Sequence, residues 1–153
     1  MVGGFVTGFY HAGVTVQSME KSLDFYCGLL GLELHSLRDA TEEYILKIVN
    51  VPAEKIRVAF LKVPGSYSMV ELLEYVGVER HPSSVRPCDY GSGHFCLYVN
   101  DLDQVYSDLA SKGVQFRSTS PIISTAGLNK GSKIVYCIDP DGYLIELIEP
   151  VKK

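Results

Sequence analysis

The chain has no tryptophan, no C-x-x-C pair, no basic segment of any length and no apolar stretch of membrane length. Without roughly 18 consecutive apolar residues, a transmembrane helix is not expected. The opening, MVGGFVTGFYHAGVTV, has no basic head, and its apolar residues alternate rather than cluster. It reads as the lead into a strand, not as a signal peptide, and a cytoplasmic location is the expectation. With a formal net charge of −4 and scattered Lys and Arg, nothing in the chain seeks nucleic acid or anionic lipid. Cys27, Cys88, Cys96 and Cys137 lack the spacing of a zinc or redox motif, so reduced thiols are expected. The missing tryptophan, set beside ten tyrosines and six phenylalanines, carries no functional information.

What is present is a repeat. The segment HAGVTVQSMEKSLDFYCGLLGLEL has a counterpart in HFCLYVNDLDQVYSDLASKGVQF. Aligning His11 with His94 pairs Val16 with Val99, Ser18 with Asp101 and, after a slip of one residue, Gly31 with Gly113. Further on, FLKVPGSYSMVELLE matches YCIDPDGYLIELIE, pairing Pro64 with Pro140 and Glu71 with Glu146. A length of 153 residues suits one domain containing two such modules, approximately 8–78 and 92–150.

Each half reads as strand, helix, then three strands. His11–Gln17 and His94–Asn100 have the β-branched and apolar content of short strands. Ser18 and Asp101 stand where helix N-caps belong, with Gln104 completing a capping box. Met19, Leu23, Tyr26 and Leu30 share one helical face, as do Leu102, Val105, Tyr106 and Leu109. Gly31 and Gly113 fall where a helix ends in a left-handed residue. Strands follow at 32–37, 56–63 and 68–75, and again at 114–118, 133–138 and 143–149. Pro64-Gly65 and Asp139-Pro140-Asp141-Gly142 punctuate the hairpins, Thr41–Val49 adds a short helix, and Glu79–Gly93 links the halves. Thr119–Ser132 is a polar loop long enough to act as a lid. The fold class expected is α+β: two βαβββ modules forming a curled, cup-shaped mixed sheet with helices on the outside.

Strand alternation assigns faces. Ala12, Val14 and Val16, like Phe95, Leu97 and Val99, belong against the helices, which turns His11 and His94 to the opposite, concave face. Glu71 and Glu146 lie within the apolar strands MVELLEY and LIELIEP, where an ionised carboxylate is costly unless paired or bound to a cation. Taken singly, each is an ordinary strand residue. Repeated at matching positions, His11, Glu71, His94 and Glu146 offer two imidazoles and two carboxylates to one divalent cation, with positions left open for substrate. Glu74, Glu149, His35 and His81 read as solvated surface. Cys96 has no base near it in sequence and does not read as a nucleophile.

Over roughly Tyr10 to Pro150, through HAGVTVQSMEKSLDFYCGLLGLEL, MVELLEY, GSGHFCLYVNDLD and DPDGYLIELIEP, the chain resembles the vicinal oxygen chelate superfamily, its glyoxalase-I-like members in particular. That superfamily includes glyoxalase I, methylmalonyl-CoA epimerase, extradiol dioxygenases, and fosfomycin- and bleomycin-resistance proteins. The resemblance places the family's metal ligands on the same four residues. It implies a divalent cation (Ni, Co, Zn, Mn or Fe) and a lyase or isomerase/epimerase acting on a small oxygenated substrate. An enediolate-like intermediate would form, with Glu146 or Glu71 as the general base. Thr15, Leu73, Tyr75, Cys96 and Tyr98 would then line the substrate site. Family members commonly pair, so a homodimer is expected. Bacterial glyoxalase I typically carries an arginine four residues after its first ligand and an asparagine four after its second, both holding glutathione carboxylates. Thr15 and Tyr75 stand there instead, which points to a different substrate. An Fe(II) extradiol-type dioxygenase and a non-enzymatic binder that sequesters an antibiotic are the alternatives.

Overall fold

A computed structural model describes residues 4–83 and 86–152. Part of the expected link between halves, Ser84 and Val85, lies outside them, as do the first three residues of the opening segment. The chain forms two compact units, residues 1–80 and 81–153. Both are mixed α+β, as the sequence implies.

In the first unit, β1 (His11–Thr15), β2 (Glu33–Ala40), β3 (Lys55–Lys62) and β4 (Met69–Val76) form a sheet in the order β1-β4-β3-β2. β1 runs parallel to β4, with His11 opposite Met69 and Gly13 opposite Glu71. Parallel partners need a long crossover. Helix α1 (Met19–Leu23) begins it, capped by the Ser18 side chain, which accepts from the Lys21 N–H. The helix then widens into a π-helical stretch, Asp24–Leu29, closed by a 3.0 Å bond from Leu30 N–H to Phe25 carbonyl.

That widening rotates the buried face. Met19, Ser22, Phe25 and Tyr26 are buried, whereas Leu23 and Leu30, expected on the apolar face, are only partly covered. Gly31 ends the turn at φ +80°. Val14, Val16, Ala59, Leu61, Val70 and Leu72 are the buried sheet residues of this unit's helix face. The expected short helix is present as α2 (Glu43–Val49).

The second unit repeats the plan with β5 (His94–Tyr98), α3 (Leu102–Ser111), β6 (Gln115–Phe116), β7 (Ile122–Ile123), β8 (Lys133–Ile138) and β9 (Leu144–Glu149). The order is β5-β9-β8-β6, with β7 also paired to β8. His94 lies opposite Leu144 and Cys96 opposite Glu146 on the parallel β5–β9 pair. Asp101, at φ +50°, caps α3 by accepting from the Gln104 N–H at 3.2 Å. The Gln104 side-chain amide donates to Asp108 at 2.8 Å. The loop expected as a lid is partly pinned: Ile122 pairs with Ile134, and Ser124 N–H donates to Ser132 carbonyl at 2.9 Å. Among the described residues, no helix is long and apolar enough to cross a membrane.

Glu74 and Glu149, read from sequence as solvated, hold the helices to the sheets. Glu74 points to the helix face, where its Oε2 accepts from the Met19 N–H at 3.0 Å and from Arg57 Nη1 at 3.0 Å. Glu149 Oε2 accepts from the Leu102 N–H at 2.7 Å, with Lys133 Nζ 3.8 Å away. Arg57 lies opposite Glu74 and Lys133 opposite Glu149, so both units use one device. Each carboxylate satisfies an otherwise orphaned donor in a helix first turn and complements the helix dipole. Glu74→Ala or Glu149→Ala is therefore expected to lower stability by about 2 kcal/mol, and the glutamine variants by less. Chemical denaturation of the four variants checks this; wild-type stability in both alanine variants would refute it.

Candidate metal centre

In the first unit, β1 and β4 bring His11 and Glu71 together. Because Glu71 sits two residues beyond the direct partner of His11, both side chains leave the same face of neighbouring strands on a diagonal. His11 Nε2 and Glu71 Oε2 are 3.1 Å apart. In the second unit, His94 and Glu146 occupy the same diagonal of β5 and β9, and His94 Nε2 stands 3.1 Å from Glu146 Oε2. The two glutamates are largely covered by protein, with side-chain exposures of 18% and 15%. Neither has a lysine or arginine partner among the recorded ion pairs, unlike Glu74, which meets Arg57.

Two donors bound to one ion at ~2.1 Å and separated by ~90–110° stand about 3.0–3.4 Å apart. Both pairs meet that spacing, and a histidine nitrogen beside a carboxylate oxygen is a donor set that divalent cations accept. Among the described residues, no group of three or more His, Cys, Asp and Glu is close enough to hold a metal, so each unit presents a pair.

The pairs differ in their surroundings. His11 is flanked edge-on by Tyr10 and Phe60, with ring centroids 4.8 and 5.5 Å away, and its buried Nδ1 has no hydrogen-bond partner among the described residues. The ring proton is then best placed on Nε2, donating to Glu71. Around the second pair stands Tyr136, a residue the sequence reading passed over. Its hydroxyl lies 3.1 Å from His94 Nε2 and 3.3 Å from Glu146 Oε2. Burial first, then the negative charge of Glu146, push the Tyr136 phenol above its ordinary value, so it remains a hydroxyl at neutral pH.

The five residues expected to line a substrate site lie on the faces that carry the histidines, but their settings differ. Thr15, Cys96 and Tyr98 are exposed. Leu73 and Tyr75 instead pack with Ile45, Leu46 and Val49 of α2 against Ala40, Ile56 and Val58, and are only partly accessible. Helix α2 therefore covers part of this face of the first unit. Arg80 donates to the Val16 and Gln17 carbonyls at 3.1 and 3.3 Å.

Cys96 lies opposite Glu146 and, although exposed by area, has its thiol pushed up to about 11, by desolvation first and by the carboxylate second. At neutral pH about one part in ten thousand is thiolate, far too little for a nucleophile. A disulfide reagent at pH 7 is expected to label exposed Cys88 well before Cys96, and buried Cys137 last. Mass spectrometry of the time course reads the order, and equal rates at Cys88 and Cys96 would contradict it.

The fold and the paired donors define a class, and comparison with known proteins names it. The family model described as Glyoxalase/Bleomycin resistance protein/Dioxygenase superfamily matches residues 8–147. The chain belongs to this superfamily. It is 32% identical to a lactoylglutathione lyase of Pseudomonas putida, over 93% of this chain and 84% of that one. It is 29% identical to a 2-epi-5-epi-valiolone epimerase of an Actinomyces species, over 91% of this chain and 77% of the relative. A glyoxalase family protein from Bacillus cereus shares the fold at a TM-score of 0.81 with 17% identity, each chain covered over 99%. The relatives named for an activity are thus a lyase and an epimerase.

Proposed function

We propose that the chain is a divalent-metal-dependent enzyme in which His11, Glu71, His94 and Glu146 hold one cation. Its reaction is then a lyase or isomerase/epimerase conversion of a small oxygenated substrate. The observation that carries this reading is the duplicated histidine–glutamate contact, 3.1 Å in both units, on matching diagonals of two separate sheets. Glu74 and Glu149 also recur at one register, but they meet a cation and a helix N–H, whereas Glu71 and Glu146 meet neither among the described residues.

When bound, the cation would supply Lewis-acid polarisation of neighbouring substrate oxygens. The chain's own part is proton transfer. A carboxylate oxygen of Glu71 or Glu146 takes the proton next to the substrate carbonyl and returns it at the same or the neighbouring carbon. Return at the same carbon from the other face gives epimerisation, and return at the neighbour gives isomerisation. A lyase and an epimerase among the relatives accord with a shared first step. Thr15, Cys96 and Tyr98 would contact substrate, with Leu73 and Tyr75 held by α2 as a wall. With Thr15 and Tyr75 at the two positions and Arg80 already engaged, a substrate without the carboxylates of glutathione is favoured. A homodimer belongs to this reading, and size-exclusion chromatography with and without metal tests it.

Elemental analysis after loading separately with Ni²⁺, Co²⁺, Zn²⁺, Mn²⁺ and Fe²⁺ tests the metal. One equivalent per four-residue set supports the reading. No uptake under any condition, with ligand binding indifferent to chelators, would replace it with a binding protein. Oxygen consumption with catechols after Fe²⁺ loading would replace it with a dioxygenase.

A further inference from the structure

The two halves carry the same donor pair, so a difference in the residue set against the glutamate is informative. On the hairpin β3–β4, Phe60 lies opposite Glu71; on β8–β9, Tyr136 lies opposite Glu146. Each aromatic ring also meets its unit's histidine edge-on, at centroid distances of 5.5 Å for Phe60 and 4.9 Å for Tyr136. The rings are thus equivalent in place and orientation. Only the second carries a hydroxyl, and that hydroxyl lies within hydrogen-bond reach of both members of the pair.

We propose that Tyr136 is a positioning residue whose hydroxyl donates to Glu146 and contacts His94, making the second unit's pair the fixed half of the site and leaving Glu71 the freer carboxylate. This rests on the metal reading above. A phenol has one proton to donate. Aimed at Glu146 Oε2, it restricts rotation of the carboxylate and leaves the Tyr136 oxygen free to accept from the His94 Nε2–H in the metal-free protein. The three atoms, His94 Nε2, Glu146 Oε2 and Tyr136 Oη, form a triangle with edges of 3.1, 3.1 and 3.3 Å. In the first unit, Phe60 can only pack. Glu71 there has His11 as its one polar side-chain contact among the described residues, and Gly13 opposite it adds no side chain. Partners that orient metal ligands typically change affinity by 10–100-fold when removed.

The test uses the full chain with Tyr136→Phe, which removes one oxygen and keeps the ring. Long-range ¹H–¹⁵N spectra of the metal-free protein at one fixed pH report the ring-nitrogen state of His11 and His94. Titration with Ni²⁺ reports affinity. The expected result is a change in the His94 ring signals with those of His11 unmoved, together with at least tenfold weaker Ni²⁺ binding. A lower melting temperature with unchanged His94 signals and wild-type Ni²⁺ affinity would overturn the proposal and leave the metal reading standing. If the wild type binds no Ni²⁺, Co²⁺, Zn²⁺, Mn²⁺ or Fe²⁺, the metal reading fails and this inference with it. That outcome is distinguished by the wild-type titration alone.

Discussion

Replacing His94 or Glu146 by alanine is expected to weaken divalent-metal uptake by about a hundredfold or more, beyond what loss of an orienting partner costs. The reason is geometric. Each residue supplies one of two donor atoms that its unit places 3.1 Å apart, and among the described residues no third His, Cys, Asp or Glu joins them in a metal-sized cluster. The Tyr136 hydroxyl is close by, but a neutral phenol is a poor ligand beside a carboxylate. His11→Ala and Glu71→Ala should behave alike if the two halves serve one ion. Metal content of the four purified variants, measured beside wild type, decides. Retention of full metal by any pair of variants from one unit would show that unit to be dispensable.

The second large effect concerns the rate. Glu71→Gln keeps an oxygen able to bind a cation but removes the ability to take a proton. On the proposed reading, Glu146 is held by Tyr136 while Glu71 meets His11, so the first-unit carboxylate would be the better proton carrier. Glu71→Gln is expected to lower kcat by about 10²–10⁴-fold with metal content preserved, the range for loss of general-base catalysis. Glu146→Gln should lose less rate. Solvent-deuterium exchange into a panel of 2-oxo and 2-hydroxycarbonyl compounds, lactoylglutathione among them, supplies the readout. Equal loss of rate in both variants would contradict the division of labour.

That His11 and His94 turn away from the helices was legible in the sequence, because strand alternation is strict; that each meets its own unit's glutamate came from the β1–β4 and β5–β9 neighbours. One residue of shift flips every side chain to the other face. The apolar sets at Val14 and Val16 and at Ile145 and Leu147 therefore commit the histidines and the first glutamates to the opposite face. The same alternation puts Glu74 and Glu149 on the helix face, yet the sequence reads them as solvated because their partners are not legible there. Those partners are the first-turn N–H groups of Met19 and Leu102, one of them 55 residues away in sequence. Helix docking decides such contacts, and no periodicity encodes them.

The amino-acid sequence by itself determined the duplicated module, the helix starts at Ser18 and Asp101, and the glycines at φ +80° and +85° that end the two crossovers. These are local matters of capping, side-chain period and backbone freedom. Only the tertiary structure decided that α1 widens into a π turn and buries Phe25, that α2 seats itself over Leu73 and Tyr75, and that Tyr136 meets His94 and Glu146. Each depends on which residues a hairpin sets opposite one another or which face a helix lays on a sheet. Such registers come from packing among distant segments, whose energies exist only once the chain has closed.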